Sequence, residues 1–238
     1  MIPLLSYWAF PSMHIPPEIV FHLSLGTSLA IIIPISISGS WAHAKSGNVD
    51  WQVVFILALP GILGSFLGSA LAAHLKGPML KTLFGVLLIS IAAQIFFQKR
   101  GPESSGSHSI PRFFVILIIG FSIGLFSGFF AVGGAVIAIP LMIRFLGIPI
   151  HQAMGNSIAF AFFASFVGTA GYIYNGWGKP ELPPFTLGYV HLLGWLLAGI
   201  PSIFFSQWGA QLARKTKPAR LRRAFAFLLM VVGIRMLF

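Results

Sequence analysis

Residues 124–157 read GLFSGFFAVGGAVIAIPLMIRFLGIPIHQAMGNS, and this stretch holds a single charged residue, Arg144. It contains two apolar runs that meet at Gly133-Gly134, and the second run ends at Gly147-Ile148-Pro149. Glycine pairs and prolines interrupt helices, so the stretch predicts two helices joined by a break, with a third helix following. Inside a membrane, backbone groups freed by such a break are tolerated only against protein or a water-filled cavity.

The end of this stretch has a counterpart near the N-terminus. Seven residues recur 129 positions later, namely His22, Gly26, Ser28, Ala30, Ser36, Gly39 and Gly47. A second set recurs 141 positions later, from Pro60, which matches Pro201, to Leu88, which matches Leu229. A tandem duplication inside a very hydrophobic chain predicts a membrane transporter whose binding site lies between the repeats.

The composition indicates an integral membrane protein. Of the 238 residues, 57% are hydrophobic and 8% are charged, against about 25% charged in a typical soluble domain. A helix needs about 20 apolar residues to cross the hydrocarbon. Long stretches that lack Asp, Glu, Lys and Arg include 51–75, 82–98, 113–143, 145–178 and 182–213. They show no period-2 alternation, which favours helices over a β-barrel.

The net charge of +11 is concentrated in short connections, at Lys99–Arg112 and Arg214–Arg223. Clusters between apolar spans fit the positive-inside rule better than nucleic-acid binding, so we expect both to face the cytoplasm and Asn175–Pro184 to lie outside. The second half predicts five helices, near 113–131, 134–146, 151–174, 186–213 and 220–238. With five crossings, the basic connections fall on one side of the membrane.

Five is an odd number, so two such units in tandem must have opposite orientations. The predicted fold class is therefore an all-α integral membrane protein built from two inverted repeats of about five helices. The predicted units are a first repeat at 1–98, a linker at 99–111 and a second repeat at 112–238.

Aligning the repeats matches residues 1–5 with 139–142, so the first repeat is expected to begin within its second helix and to lack its first, glycine-rich helix. On this basis the chain as it stands is expected to transport poorly, and an upstream glycine-rich helix to restore activity. The alternative is a non-transporting accessory or structural membrane subunit.

The segment from Gly124 to Ser157 carries two motifs in order, GLFSGFFAVGGAVIAIP and HQAMGNS, and a weaker first copy reads PLL at 3–5 and HLSLGTS at 22–28. In these motifs the chain resembles the sulfite exporter TauE/SafE family. The resemblance implies a multi-pass permease of a bacterial or archaeal inner membrane. It would move sulfur-containing anions such as sulfite or organosulfonates, with export as the expected direction. Where the family has three or four glycines in a row, this chain has Gly133-Gly134-Ala135.

The residues themselves suggest how an anion could be held. Hydroxyl and amide groups beside free N–H groups at a helix start bind anions without a full positive charge. We therefore predict a mid-membrane cavity lined from both repeats by Thr27, Ser28, Gly133, Gly134, Asn156 and Ser157. The alternative is that the polar members are helix caps or interhelical hydrogen bonds.

Two histidines at matched positions, His22 and His151, are candidates for proton coupling because histidine titrates near neutral pH. The alternative is an interfacial polar role. The expected partners are the lipid bilayer and a small anion, together with a homo-oligomeric partner, but not nucleic acid.

Enzymatic chemistry is disfavoured by the residue inventory. The four acids lie in or beside predicted loops, and the G-x-S-x-G pattern at 120–124 lies inside an apolar helix rather than at a strand-to-helix turn. The chain has no cysteine and no histidine spacing typical of a metal site, so no cofactor and no metal are expected.

Overall fold

The structure is a computed structural model that describes residues 2, 5, 16–97, 113–215 and 218–237. The predicted linker at 99–111 lies outside the described residues, as does most of the segment matched to 139–142, so both remain predictions. The described part of the chain is almost entirely helical, which confirms the all-α membrane fold.

Eight helices and one short hairpin make up the described residues. The helices are α1 (Pro17–Lys45), α2 (Trp51–His74), α3 (Gly77–Phe97), α4 (Phe113–Phe130), α5 (Ala135–Leu146), α6 (Ile150–Gly176), α7 (Leu192–Lys215) and α8 (Pro218–Leu237). The hairpin pairs β1 (Thr186–Leu187) with β2 (Val190–His191) in antiparallel fashion. By length and composition α1, α2, α3 and α6 can each cross a membrane, and the other four contribute shorter apolar helices.

Glycine backbone geometry produces the predicted helix breaks. Gly133 and Gly134 have φ of +69° and +75°, a left-handed region that favours glycine, and they separate α4 from α5. Gly147, with φ of +63°, ends α5 in the usual left-handed cap. The breaks predicted at these glycines are therefore confirmed.

The helix predicted over 186–213 is wrong at its start, because residues 186–191 form the hairpin and α7 begins only at Leu192. Phe185 and Gly188 have positive φ, which turns the chain instead of extending a helix. The backbone N–H of His191 donates to the Thr27 hydroxyl at 3.0 Å, so the start of α7 is set by a contact with α1.

The long helices α1 and α6 lie side by side and run antiparallel. A Cβ added at Gly26, towards the start of α1, would lie 3.2 Å from Tyr172 Cβ, towards the end of α6. One added at Gly39, towards the end of α1, would lie 2.9 Å from Ile158 Cγ2, towards the start of α6. The predicted repeats therefore meet along this pair of helices.

This packing gives the bundle two ends, which we name after one residue at each. The Asp50 end holds the α1–α2 and α5–α6 connections, and the Lys179 end holds the α2–α3 and α6–α7 connections. Helix α3 ends and α4 begins at the Asp50 end, as do the end of α7 and the start of α8. Both basic connections of the chain thus join helices at the Asp50 end.

Helices α2 and α4 share the most extensive contact and run parallel, with small residues against backbone. A Cβ at Gly120 would lie 2.5 Å from the Leu57 carbonyl oxygen, and one at Gly124 would overlap the Gly61 carbonyl oxygen. The next glycine of the series, Gly128, meets α2 one turn further along. Glycines at every fourth position therefore allow the two backbones to touch.

Buried side chains form two apolar clusters. One lies between α1, α3 and the ends of α4 and α6, and it contains the fully buried Tyr172. The other lies between α2, α4, α5 and α6, around Phe160. The glycine break at 133–134 is next to both clusters, because Gly133 adjoins Ile32 and Gly134 adjoins Phe160.

Candidate functional site

The two repeats cap each other's helices through the matched motifs Gly26-Thr27-Ser28 and Gly155-Asn156-Ser157. The Thr27 hydroxyl oxygen accepts from the His191 backbone N–H at 3.0 Å, at the start of α7. The Asn156 Oδ1 atom accepts from the Asp50 backbone N–H at 2.8 Å, at the start of α2. Thr27 and Asn156 are matched by the repeat, and Asp50 and His191 are 141 residues apart, which is the separation of the second matched set. Each motif therefore holds the start of a helix in the opposite repeat.

The glycine before each motif residue allows this approach. A Cβ at Gly26 would overlap the Tyr189 carbonyl oxygen, and a Cβ at Gly155 would overlap the Asn48 carbonyl oxygen. Asn48 and Tyr189 are again 141 residues apart. Glycine is required at both positions because any side chain would push the incoming backbone away.

The side chains at the two helix starts also cap in matched ways. Asp50 Oδ1 accepts from the backbone N–H of Gln52 at 3.0 Å and of Val53 at 3.3 Å. His191 Nδ1 accepts from the Gly194 backbone N–H at 2.9 Å, which requires an unprotonated Nδ1. Burial accordingly lowers the pKa of His191 below its ordinary value.

The six predicted site residues do not line one cavity, and this expectation is corrected. Because α1 and α6 are antiparallel, Thr27 lies towards the Lys179 end and Asn156 towards the Asp50 end. Gly26 is level with Tyr172, so the two motifs lie about 25 Å apart along α6 at 1.5 Å per residue. The structure thus forms two separate polar positions with the glycine break between them.

The break itself lies at mid-depth. A Cβ at Gly133 would lie 3.2 Å from Ile32 Cγ2 and 3.8 Å from Ala161 Cβ, at the middles of α1 and α6. Beside it is a cavity of about 10 Å³, which has room for about one water molecule. Its lining includes Gly134 and Ser127 among apolar side chains. The hydroxyl of Ser127 is buried without a hydrogen-bond partner.

Five buried polar atoms in the described residues have no hydrogen-bond partner, and all belong to hydroxyl or amide groups. They are Ser28 Oγ, Ser127 Oγ, Asn156 Nδ2, Ser165 Oγ and Thr169 Oγ1. A buried donor without a partner costs about 1–3 kcal/mol, so such groups are rare in native structures. Sequence reasoning singled out Ser28 and Asn156 but missed the other three.

The repeat pointed to two of the missed residues, and the first is Ser165, which matches Ser36. Thr169 similarly occupies the position matched to Ser40. Hydroxyls at matched positions identify candidate binding residues, but whether each hydroxyl has a hydrogen-bond partner depends on how the helices pack. Ser157, the remaining predicted residue, donates to the Met154 carbonyl oxygen at 2.9 Å.

The two histidines occupy different environments and are not brought together. His22 is buried at the Lys179 end, where Nδ1 lies 3.0 Å from the Glu18 carbonyl oxygen and Nε2 lies 2.9 Å from that of Leu75. Its ring stacks on Tyr189 with 5.1 Å between centroids. His151 is exposed at the opposite end. Proton coupling by either residue stays a prediction.

The electrostatic character of the interior is uniform across the part of the chain that the structure describes. Its buried polar side chains are Ser, Thr, Asn and His, and no Asp, Glu, Lys or Arg is buried. No group of three or more His, Cys, Asp or Glu residues there could hold a metal ion. The interior therefore offers neutral hydrogen-bond donors and no fixed charge.

Comparison with known proteins agrees with this architecture, since the family model described as sulfite exporter TauE/SafE matches residues 1–236. The chain belongs to the TauE/SafE family. A probable membrane transporter protein of Haemophilus influenzae is 30% identical over 99% of this chain and 88% of its own length. One of Methanocaldococcus jannaschii is 28% identical over 99% of this chain and 85% of its own. No solved structure matches the chain significantly.

Membership of TauE/SafE explains the general features of the site. The chain is a membrane transporter embedded in a lipid bilayer, and its apolar helices face outward with large exposed side chains such as Leu59, Leu63 and Ile118. An open groove of about 730 Å³ between α2 and α4 is lined by these same apolar residues, so it suits lipid chains.

Proposed function

We propose that this protein is a permease of a bacterial or archaeal inner membrane that exports small sulfur-containing anions, such as sulfite or organosulfonates. The family match and the resemblance of 124–157 to the family's motifs support the substrate class. The single observation that carries the proposal is the set of five buried hydroxyl and amide groups without partners.

The chemistry of these groups favours an anion. Hydroxyl and amide N–H groups donate hydrogen bonds to sulfite or sulfonate oxygens, whereas the carboxylates that most strongly favour a cation are absent from the buried side chains of the described residues. In a low-dielectric interior each unpartnered donor costs about 1–3 kcal/mol, and an anion bound beside a donor removes that donor's cost. Because no buried Arg or Lys among the described residues adds a full charge, the anion can also leave.

Asn156 offers the sharpest test of the substrate chemistry. Asn156→Asp keeps an oxygen for the Asp50 N–H but replaces the unpartnered NH₂ donor with a carboxylate oxygen. We expect this variant to lose transport of labelled sulfite and sulfoacetate in proteoliposomes. The control is Ser157→Ala, because the Ser157 hydroxyl already donates to its own helix.

Both variants should first be shown to elute from size-exclusion chromatography like the wild type. If wild-type vesicles move neither anion faster than empty vesicles, the proposed function is wrong. If the wild type transports these anions and Asn156→Asp transports them at the same rate, the proposed function stands and Asn156 acts only as a helix cap. A homo-oligomer stays a prediction, which light scattering of the purified protein would test.

A further inference from the structure

Three pairs of buried hydroxyl groups are matched by the repeat along α1 and α6. The pairs are Ser28 with Ser157, Ser36 with Ser165, and Ser40 with Thr169. Each pair has the same 129-residue separation, so an exact inverted repeat would give its two members the same environment. All six residues are nearly or completely buried, but their hydroxyls are bonded differently.

One member of each pair donates to the backbone of its own helix. Ser157 donates to the Met154 carbonyl at 2.9 Å, Ser36 to the Ile33 carbonyl at 2.8 Å, and Ser40 to the Ser36 carbonyl at 2.5 Å. We call these three the bonded triad. In every pair the hydroxyl of the other member has no hydrogen-bond partner. We call these three residues, Ser28, Ser165 and Thr169, the unbonded triad.

The two triads occupy opposite halves of the α1–α6 interface. A Cβ at Gly168 would lie 3.0 Å from Leu29 Cδ1, so Ser28 and Thr169 are adjacent to one contact between the helices. Ser165 precedes Thr169 by four residues and lies on the same face of α6, about 6 Å away along the axis. The unbonded triad is therefore in the Lys179 half, and the bonded triad is in the Asp50 half.

Four helices converge at Gly168, the residue before Thr169. A Cβ at Gly168 would lie 2.8 Å from Ser65 Oγ and 3.6 Å from Gly128 Cα, in addition to its contact with Leu29. Gly168 thus joins α1, α2, α4 and α6 at the residue before Thr169. Ser65 contributes no free donor here, because its hydroxyl donates to the Ala164 carbonyl at 2.6 Å.

The Lys179 half also carries a positive charge at its outer end. Tyr189 is buried beside Gly26, two residues from Ser28, and Lys179 Nζ donates to the Tyr189 hydroxyl at 2.5 Å. Lys179 itself is exposed, so its charge faces the solution at the end of the bundle. This cation adds a local attraction for anions beside Tyr189, while the two basic connections lie at the opposite end of the bundle.

We propose that Ser28, Ser165 and Thr169 form the anion subsite of this transporter, and that Ser157, Ser36 and Ser40 are its repeat-related copy, closed because each hydroxyl donates to its own helix backbone. This inference rests on the proposed function and specifies where the transported anion binds. Three hydroxyl donors match the three oxygens of sulfite or of a sulfonate group. The asymmetry between the triads means that the anion binds in the half nearer Lys179.

The test is equilibrium binding of labelled sulfite to the purified full chain, with the matched triad as control. Substituting Ser28→Ala, Ser165→Ala or Thr169→Val removes one donor to a charged ligand, so each should weaken binding about tenfold. The triple variant should show no saturable binding. The control triple, Ser157→Ala with Ser36→Ala and Ser40→Ala, should bind within about twofold of wild type.

Thermal stability without ligand provides a second measurement that a structural role would not reproduce. Removing unpartnered hydroxyls should leave the ligand-free protein as stable as wild type or more stable, whereas removing the bonded triad should lower stability. Loss of stability in the unbonded-triad variant, or equal binding by the two triple variants, overturns this subsite. Wild-type protein that binds no sulfur oxyanion overturns the proposed function as well.

Discussion

A methyl group added at Gly26 or Gly155 should destabilise the protein by separating the two repeats. In Gly26→Ala the new Cβ would lie 3.0 Å from the Tyr189 carbonyl carbon, and in Gly155→Ala 2.9 Å from that of Asn48. Real Cβ atoms keep about 3.4 Å or more, and the carbonyl oxygens are closer still. The incoming backbone must therefore move away by roughly 1 Å at either position.

That displacement breaks the hydrogen bond at the following residue. The contact from the His191 N–H to Thr27 Oγ1 measures 3.0 Å, and an added 1 Å takes it beyond hydrogen-bonding distance. The stranded buried N–H costs about 1–3 kcal/mol, and overpacking adds about 1–3 kcal/mol. We expect a loss of about 2–4 kcal/mol for Gly26→Ala, and a similar loss for Gly155→Ala through Asn156.

The assay is the thermal midpoint of the detergent-solubilised protein, followed by size-exclusion chromatography after heating. A loss of this size lowers the midpoint by about 5–12 °C in a chain of this length. The control is Gly199→Ala, because a Cβ there would lie 3.9 Å from its nearest neighbour, Ile31 Cγ1. Its midpoint should stay within about 3 °C of wild type. Equal midpoints for all three variants would refute the role assigned to the two glycines.

Three further outcomes follow from the same contacts. Thr27→Val should lose about 1–3 kcal/mol by leaving the His191 N–H without an acceptor, and Thr27→Ser should restore it in the same thermal assay. Because burial lowers the pKa of His191, the unfolded chain takes up its proton first, near pH 6.5. Stability should thus fall as the pH drops from about 7 to about 5. His191→Asp, which places an aspartate at this helix start as at Asp50, should make the thermal midpoint depend less on pH. In this cysteine-free chain, Lys179→Cys should react with an impermeant maleimide on intact cells and Ser46→Cys only after permeabilisation, and the reverse pattern would contradict the topology.

Much of the architecture could be predicted from residue types because its causes are local. The break at Gly133-Gly134 and the cap at Gly147 arise from glycine's access to positive φ, which needs no knowledge of distant neighbours. The match between Thr27 and Asn156 was visible as a repeat, and the structure shows both bonding across the repeat interface. The role of each as a cap was the alternative kept beside ligand binding.

The start of α7 could not be predicted, because residues 186–191 form a hairpin whose position depends on α1. The His191 N–H meets the Thr27 hydroxyl only after two segments that are distant in sequence have docked. The single predicted cavity failed for a related reason. Matched motifs in antiparallel helices lie at opposite ends of a bundle, so sequence similarity alone does not bring Thr27 and Asn156 together.

By itself the sequence determined the membrane environment, the helices and their breaks, and the pairs of residues that occupy matched positions. These properties follow from hydrophobicity and from the backbone preferences of glycine and proline, which act within a few residues. Only the tertiary structure decided which member of a matched pair has a hydrogen-bond partner. Ser36 and Ser165 are the same residue at the same repeat position, yet one donates to its own helix and the other has no partner. The difference depends on how α1 and α6 pack against their neighbours, and that packing is a property of the whole bundle.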